Sequence, residues 1–395
     1  MSDFGRMTLP YGVISLPRDS HRHVAVAVDE QAVVLSALAE QRGGLSSALV
    51  DALSAPTLNP LMGIGPAAWI ELRRWLLDEL ADGIPDDVPS EPLASVAMHL
   101  PFEVADYVDF YSSQQHAENV GRIFRPDSEP LTPNWKHLPI GYHGRAGTVV
   151  ASGTDVRRPT GQRLVDGAPV VGPSLRLDIE CEVGFVVGVG SSLGRPVSVD
   201  TVDEHVFGVV LLNDWSARDL QAFEYVPLGP FLGKSFATSI SAWVVPLEAL
   251  REARVAPPEQ DPVPADYLHA EQPWGLDLAL EVEWNGTVVS RPPFASLYWT
   301  PAQQLAHMTS NGATCRTGDL YGSGTVSGAE PDQRGSFLEL SWSGQEPVQL
   351  DDGSTRSFLE DGDEVVLRGT APGPDGSRIV LGEVRGTILA VAAEP

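Results

Sequence analysis

Acidic residues recur in this 395-residue chain at spacings that can enclose a cation. In Asp178-Ile179-Glu180-Cys181-Glu182-Val183 a two-residue period puts Ile179, Cys181 and Val183 on one side of a strand, with Asp178, Glu180 and Glu182 on the other. Facing water, such a row is an ordinary charged edge. Enclosed, neighbouring carboxylates cannot all stay ionised without a cation or a proton. The continuously apolar run 206–212 reads as a buried strand that delivers Asp214 at its carboxyl end. In 107–111 the lone acid, Asp109, shares an extended face with Tyr107 and Tyr111. Together Asp109, Glu180, Glu182 and Asp214 offer an all-oxygen cage. Such a cage suits a hard divalent ion, Ca²⁺ or Mg²⁺, and lacks the imidazole or thiolate ligands that zinc prefers.

Basic and amide groups cluster a little further along. Of 26 Lys and Arg residues only Lys136 and Lys234 are lysines, so a generic positive charge in this chain is an arginine. A lysine kept against that bias marks a site that needs a compact ammonium on a flexible stem. Lys234 closes a segment, 213–234, dense in charge, amide, phenol and glycine. Within it Ser216 is placed to cap a helix with Asp219 as its reciprocal partner, and Arg218 and Gln221, three apart, share one helix face. His116 is one of nine histidines. Glu339 is the polar residue in an otherwise apolar run, 337–342, that reads as a strand. Pointing inward it could hold a histidine ring nitrogen and raise its basicity; pointing outward it is the polar face of a half-buried strand.

The elements that must carry these residues are mostly strands. Gly65-Pro66 opens a helix through Trp69, Leu72, Leu76 and Leu80, stopped by Gly83 and Pro85. The acidic, proline-bearing stretch 86–92 then reads as a linker closing a first module, and we expect two units, 1–100 and 101–395. Beyond it, alternating Leu276, Leu278, Leu280, Val282 and Trp284 lead into an Asn285-Gly286 hairpin turn, and short strands follow at 364–367 and 378–381. The fold class is mainly β, of the α+β kind, in keeping with 38 Gly and 33 Pro.

Composition narrows the function. A net charge of −27 leaves no basic face for nucleic acid and disfavours an anionic membrane surface. No apolar run reaches membrane-spanning length, and the amino terminus carries no secretory pattern. Two cysteines, Cys181 and Cys315, give no disulfide framework and fit a reducing cytoplasm. An anionic substrate would need a local cationic pocket.

Several of these stretches resemble the fumarylacetoacetase family: Asp106-Tyr107-Val108-Asp109-Phe110-Tyr111-Ser112-Ser113-Gln114-Gln115-His116-Ala117, the segment 133–145, the Glu180-x-Glu182 strand, 213–234 and Ser323-Gly324-Thr325-Val326-Ser327-Gly328. The likeness runs from near Leu9 to the carboxyl terminus. It implies an SH3-like amino-terminal barrel, a larger mixed β-roll or β-sandwich domain that binds metal, and a homodimer. The implied activity is metal-dependent hydrolysis of the carbon–carbon bond of fumarylacetoacetate to fumarate and acetoacetate, the last step of tyrosine and phenylalanine breakdown. Carried over by position, Asp109, Glu180, Glu182 and Asp214 hold the ion, flanked by Lys234 and Thr238. His116 is the base and Glu339 its orienter. Arg218, Gln221 and Lys234 meet developing charge, while Tyr111, Arg125, Tyr142, Gln221, Tyr225 and Thr325 hold substrate. Competing readings are a hydrolase or isomerase of another 2,4-diketo acid, such as an acylpyruvase or fumarylpyruvate hydrolase, and a non-catalytic acidic Ca²⁺-binding protein.

Overall fold

The computed structural model of the chain describes residues 4–391. Two sheets dominate it. The larger has 13 strands, and its main path runs Ser90–Pro92, Gln31–Val34, Asp19–Val28, Tyr11–Leu16, Trp243–Pro246, Val206–Asp214, Cys181–Val187, Leu320–Gly322, Tyr107–Phe110, Gly141–His143. The smaller has five strands, with Ala279–Trp284, Glu364–Pro372 and Arg378–Leu389 at its centre. The expected Asn285-Gly286 hairpin is present, both residues holding the positive φ that a tight primed turn requires.

The strand Val206–Asp214 is buried along its whole length, as its unbroken apolar sequence demands. Each fully buried Val or Leu contributes about 1.5–3 kcal/mol. That burial offsets the several kcal/mol, roughly, that each ion withdrawn from water costs at the strand's carboxyl end. One large core cluster lies around Val183, Phe185, Leu211 and Val282. A second joins the amino-terminal strands and helices to Phe207, Val210, Leu212 and Leu320.

The helix Pro66–Glu79 forms where expected and buries Ala68, Leu72, Arg73 and Leu76. The stretch read as a linker is different. Its end, Ser90–Pro92, is an edge strand paired with Gln31–Val34. At the other side of this group Tyr11–Leu16 pairs with Trp243–Pro246, so these strands continue into the large sheet and do not close into a barrel. Charge and proline suit an exposed edge as well as a linker, which is why the sequence pattern did not separate the two.

Two further elements differ from expectation. Residues 337–340 form a helical turn, Phe337–Leu340, where a strand was predicted. The Ser336 side chain accepts the amide of Glu339, and the Asp178 carboxylate takes the amides of Phe337 and Leu338. These local bonds override the strand-like composition. Ser336-x-x-Glu339 is itself a helix-start signature that the apolar run masked. Ser216, predicted as a cap, lies instead in a short ladder with Asp178; Ala217 occupies the cap position of the helix Arg218–Glu224 without a side-chain bond. Asp219 turns to Ser174 Oγ and the Leu175 amide.

Candidate active site and metal centre

Strand register assembles the acidic nest. Asp109 lies beside Gly322 and Tyr142 on its neighbouring strands, and Asp214 lies beside Thr238. Glu180 falls between the Leu177–Asp178 and Cys181–Val187 strands, where its amide donates to Asn213 Oδ1 and its carbonyl accepts from the Asp214 amide. Oxygens of Asp109, Glu180 and Asp214 come within 4.8 Å of one another, and all three residues are buried. Glu182 is fully buried close by but is not in that tight group; its Oε2 accepts from the Gly324 amide at 3.0 Å. Gly322 leaves room for it, since a Cβ there would lie 2.7 Å from Glu182 Oε2.

Lys234 Nζ donates to Glu180 Oε2 at 2.5 Å and to Asp214 Oδ2 at 2.8 Å, and Thr238 Oγ1 donates to Asp214 Oδ1 at 2.7 Å. The loop carrying Lys234 is pinned by Glu224 Oε1, which accepts the amides of Phe231 and Gly233. Arg218 Nε meets Asp178, and its Nη1 is shared by Glu180 Oε1 at 2.8 Å and Gln221 Oε1 at 3.2 Å. Arg218 and Gln221 therefore share a face as their spacing predicted.

Five buried carboxyls, Asp109, Asp178, Glu180, Glu182 and Asp214, thus face two buried cations, Arg218 and Lys234. Burial, reinforced by Asp214, pushes the Asp109 carboxyl well above the usual carboxylate range; burial and Asp109 do the same to Glu182. Asp214 is raised by burial, with Lys234 opposing. Burial acts against an ionised Glu180 too, but Lys234, Arg218 and His116 outweigh it and hold its carboxyl low. Burial likewise disfavours charge on Lys234 and Arg218, yet their carboxylate partners keep both protonated. Asp109 Oδ1 and Glu182 Oε1 are buried and meet no hydrogen-bond donor among the described residues. Orphaned oxygens in an excess of negative charge fit a hard divalent cation, so this nest could hold a metal ion.

His116 stands in the first turn of the helix Gln114–Phe124, where the Ser113 side chain accepts its amide. Its Nδ1 is 2.6 Å from Glu339 Oε2, both side chains being buried, so Glu339 points inward. Facing a carboxylate, Nδ1 carries the ring proton, which leaves Nε2 as acceptor. Glu339 also accepts from Asn119, Ser327 and Ser336. Burial disfavours its charge, but His116 leads these donors in holding its carboxyl below the usual range. Asn119 and Ser336 were not singled out from the sequence, and Ser327 entered only as part of the stretch 323–328; of the other two only Ser336, three residues before Glu339, carries a local signal.

His116 and two acids of the nest, Asp109 and Glu180, open onto one cavity of 430 Å³. Asp109, Glu180, Arg218, Gln221 and Lys234 line it, as do Tyr111, Arg125, Tyr142, Tyr225 and Thr325. Asp214, Glu182 and Thr238 are not on its wall; Asp214 and Thr238 line a smaller cleft that shares Tyr142 and Lys234 with it. Phe124, Ile140 and Leu228 supply apolar surface. Thr325 Oγ1 is buried without a partner, and Tyr225 is 44% exposed at the mouth. A mostly apolar wall with a few convergent charges is the usual character of a small-molecule site.

Solved structures share this architecture. A fumarylacetoacetate hydrolase from psychrophilic Exiguobacterium antarcticum superposes with a TM-score of 0.58 at 15% identity, covering 97% of this chain and 100% of that one. A putative HpcE protein from Mycobacterium smegmatis gives 0.55 at 20% identity, covering 96% and 99%. These neighbours define the fold class. Residues 7–101 match the family described as fumarylacetoacetase N-terminal, and 106–388 that described as fumarylacetoacetate hydrolase C-terminal. The fumarylacetoacetase of Homo sapiens is 47% identical over 405 residues, 98% of this chain and 96% of its own length. That of Caenorhabditis elegans is 48% identical over 406 residues, covering 98% and 97%. The chain belongs to the fumarylacetoacetase family.

Proposed function

We infer that this protein is a hydrolase that cleaves the carbon–carbon bond of fumarylacetoacetate, giving fumarate and acetoacetate. The observation that carries the reading, in a chain matched to the family along 98% of its residues, is that Asp109 and Glu180 of the acidic nest meet His116, backed by Glu339, at one cavity. A binding protein needs the carboxylates alone. The dyad argues against a passive acidic Ca²⁺ binder, and nothing in the cavity favours a different diketo acid.

The nest of Asp109, Glu180, Glu182 and Asp214, with Lys234 and Thr238 beside it, would hold Ca²⁺ or Mg²⁺. When bound, such an ion supplies Lewis-acid stabilisation of enolate charge. His116, with Nδ1 fixed by Glu339, takes a proton at Nε2 from water as the water oxygen bonds to the carbonyl carbon beside the fumaryl group. The bond from that carbon to the acetoacetate methylene then breaks, its electron pair departing as the enolate, which regains a proton from the His116 imidazolium. Arg218, Gln221 and Lys234 face the charge that develops; a donor so placed is worth about 3 kcal/mol in the transition state. Arg125, Tyr111, Tyr142, Tyr225 and Thr325 hold the dicarboxylate, and Arg125 supplies the local cation that the global charge lacks.

The wider reading follows the family. Residues 1–100 act as an amino-terminal module against a metal-binding β-roll domain, a division supported by the gap between the two matched stretches. The protein works as a cytoplasmic homodimer: both cysteines are unpaired, and Leu164, Val171, Leu228 and Phe231 expose apolar surface. No helix among the described residues is long and apolar enough to cross a membrane. The test is loss of fumarylacetoacetate ultraviolet absorbance on adding the protein. His116→Ala should lower kcat by a factor on the order of 10² to 10⁴ while calorimetric binding of metal and of product persists. Undiminished turnover in that variant, or no turnover by the parent protein, would remove the reading.

A further inference from the structure

Asp178 is fully buried and has no part in the chemistry above, yet its carboxylate is saturated. Oδ1 accepts from the amides of Ile179 at 2.8 Å and Phe337 at 2.7 Å. Oδ2 accepts from Arg218 Nε at 2.7 Å and from the Leu338 amide at 3.1 Å. One side chain therefore ties the guanidinium of the helix Arg218–Glu224 to the first two residues of the turn Phe337–Leu340, which carries Glu339.

The consequence for Arg218 is specific. With Nε on Asp178 and Nη1 on Glu180 and Gln221, only Nη2 is left, and it is buried without a hydrogen-bond partner among the described residues. A planar fork fixed at two of its three nitrogens has no freedom to turn, so the third has one direction in which to donate. On the other side, Phe337 and Leu338 set where the next residue, Glu339, meets His116 Nδ1 at 2.6 Å.

We propose that Asp178 is a positioning residue that orients Arg218 toward the reacting substrate and, through the Phe337–Leu338 backbone, seats Glu339 behind His116. The proposal rests on the functional reading above. Asparagine at 178 keeps the shape but offers one oxygen and a competing N–H to four donors, so it cannot hold both Arg218 and the turn.

Three variants test it with fumarylacetoacetate as substrate: Asp178→Asn, Asp178→Glu and Asp178→Asn combined with Arg218→Gln. Asp178→Asn should lower kcat about a hundredfold while KM changes less than about threefold, the signature of contacts made in the transition state. In the Arg218→Gln background the same change should cost less than about tenfold, because the main group it positions is gone. Asp178→Glu keeps the buried charge and serves should the asparagine variant not fold; its longer arm displaces the guanidinium, so it too should lose kcat. Full kcat in either single variant, or losses that multiply in the double one, overturns the proposal. Two readouts need no turnover: faster amide exchange at Phe337 and Leu338, and a crystal structure of Asp178→Asn with Arg218 Nε released. If the parent protein does not cleave fumarylacetoacetate, the functional reading fails alone, and unchanged exchange with an unmoved Arg218 still refutes the positioning role.

Discussion

Lys234 bridges Glu180 and Asp214 through one ammonium, 2.5 Å from the first and 2.8 Å from the second, where the nest meets the cavity. A guanidinium needs a planar fork and cannot converge on two carboxylates from a single point. Lys234→Arg should therefore lose kcat nearly as fully as Lys234→Ala, about a hundredfold each, and near-parent activity in the arginine variant would contradict the role given to the ammonium. The acids around it make a pH prediction. Asp109, Glu182 and Asp214 all bind their protons more tightly here than in an unfolded chain, burial being the main cause. A carboxyl with a raised folded value favours the fold below its ordinary range, near 4, and that contribution is lost as pH rises through the raised value. In chelator the melting temperature should fall as pH is taken from about 5 to about 8, and the rise on adding Mg²⁺ or Ca²⁺ should grow over the same window. Calorimetry in buffers of different ionisation heat should register protons released on metal uptake; uptake with no proton release would count against the nest as the site.

Strand pairing decides which of these residues can meet. Leu320–Gly322 is a short strand whose last residue lies against Asp109 on one side, while its side-chain space is filled by Glu182. The glycine is required by that close approach. Gly322→Ala places a methyl 2.7 Å from Glu182 Oε2, so the strand or the carboxylate must shift. We expect a loss of about 1–3 kcal/mol by chemical denaturation together with weaker metal binding; an unaffected variant would show that Glu182 is free to move. The turn Phe337–Leu340 makes the opposite point about legibility. Its sequence is apolar like a buried strand's apart from Glu339, and backbone amides bonded to the Ser336 and Asp178 side chains bend it into a helix that aims Glu339 at His116. One of those acceptors, Ser336, is adjacent in sequence and the other, Asp178, is 159 residues from Phe337, so the first was readable and the second was not.

In the molecule as a whole the amino-terminal hundred residues share both a sheet and a core with the rest. Tyr11–Leu16 pairs with Trp243–Pro246, and Phe207 packs against Tyr11 and Trp69 at ring distances of 5.7 and 5.4 Å. A chain cut to residues 101–395 should expose a strand edge and this apolar face, and should aggregate or form inclusion bodies; a soluble monomer with an undiminished melting temperature would show the module to be dispensable. The sequence by itself determined the residue types that do chemistry, the buried strand ending at Asp214, the helix Pro66–Glu79 and the Asn285-Gly286 turn, because propensity, periodicity and charge are local properties. Tertiary structure alone decided that Asp109, Glu180 and Asp214 close within 4.8 Å, that Glu182 stands just behind them and that Glu339 faces inward. Those outcomes depend on register between strands distant in sequence, where a slip of one residue would turn every carboxylate to the other face.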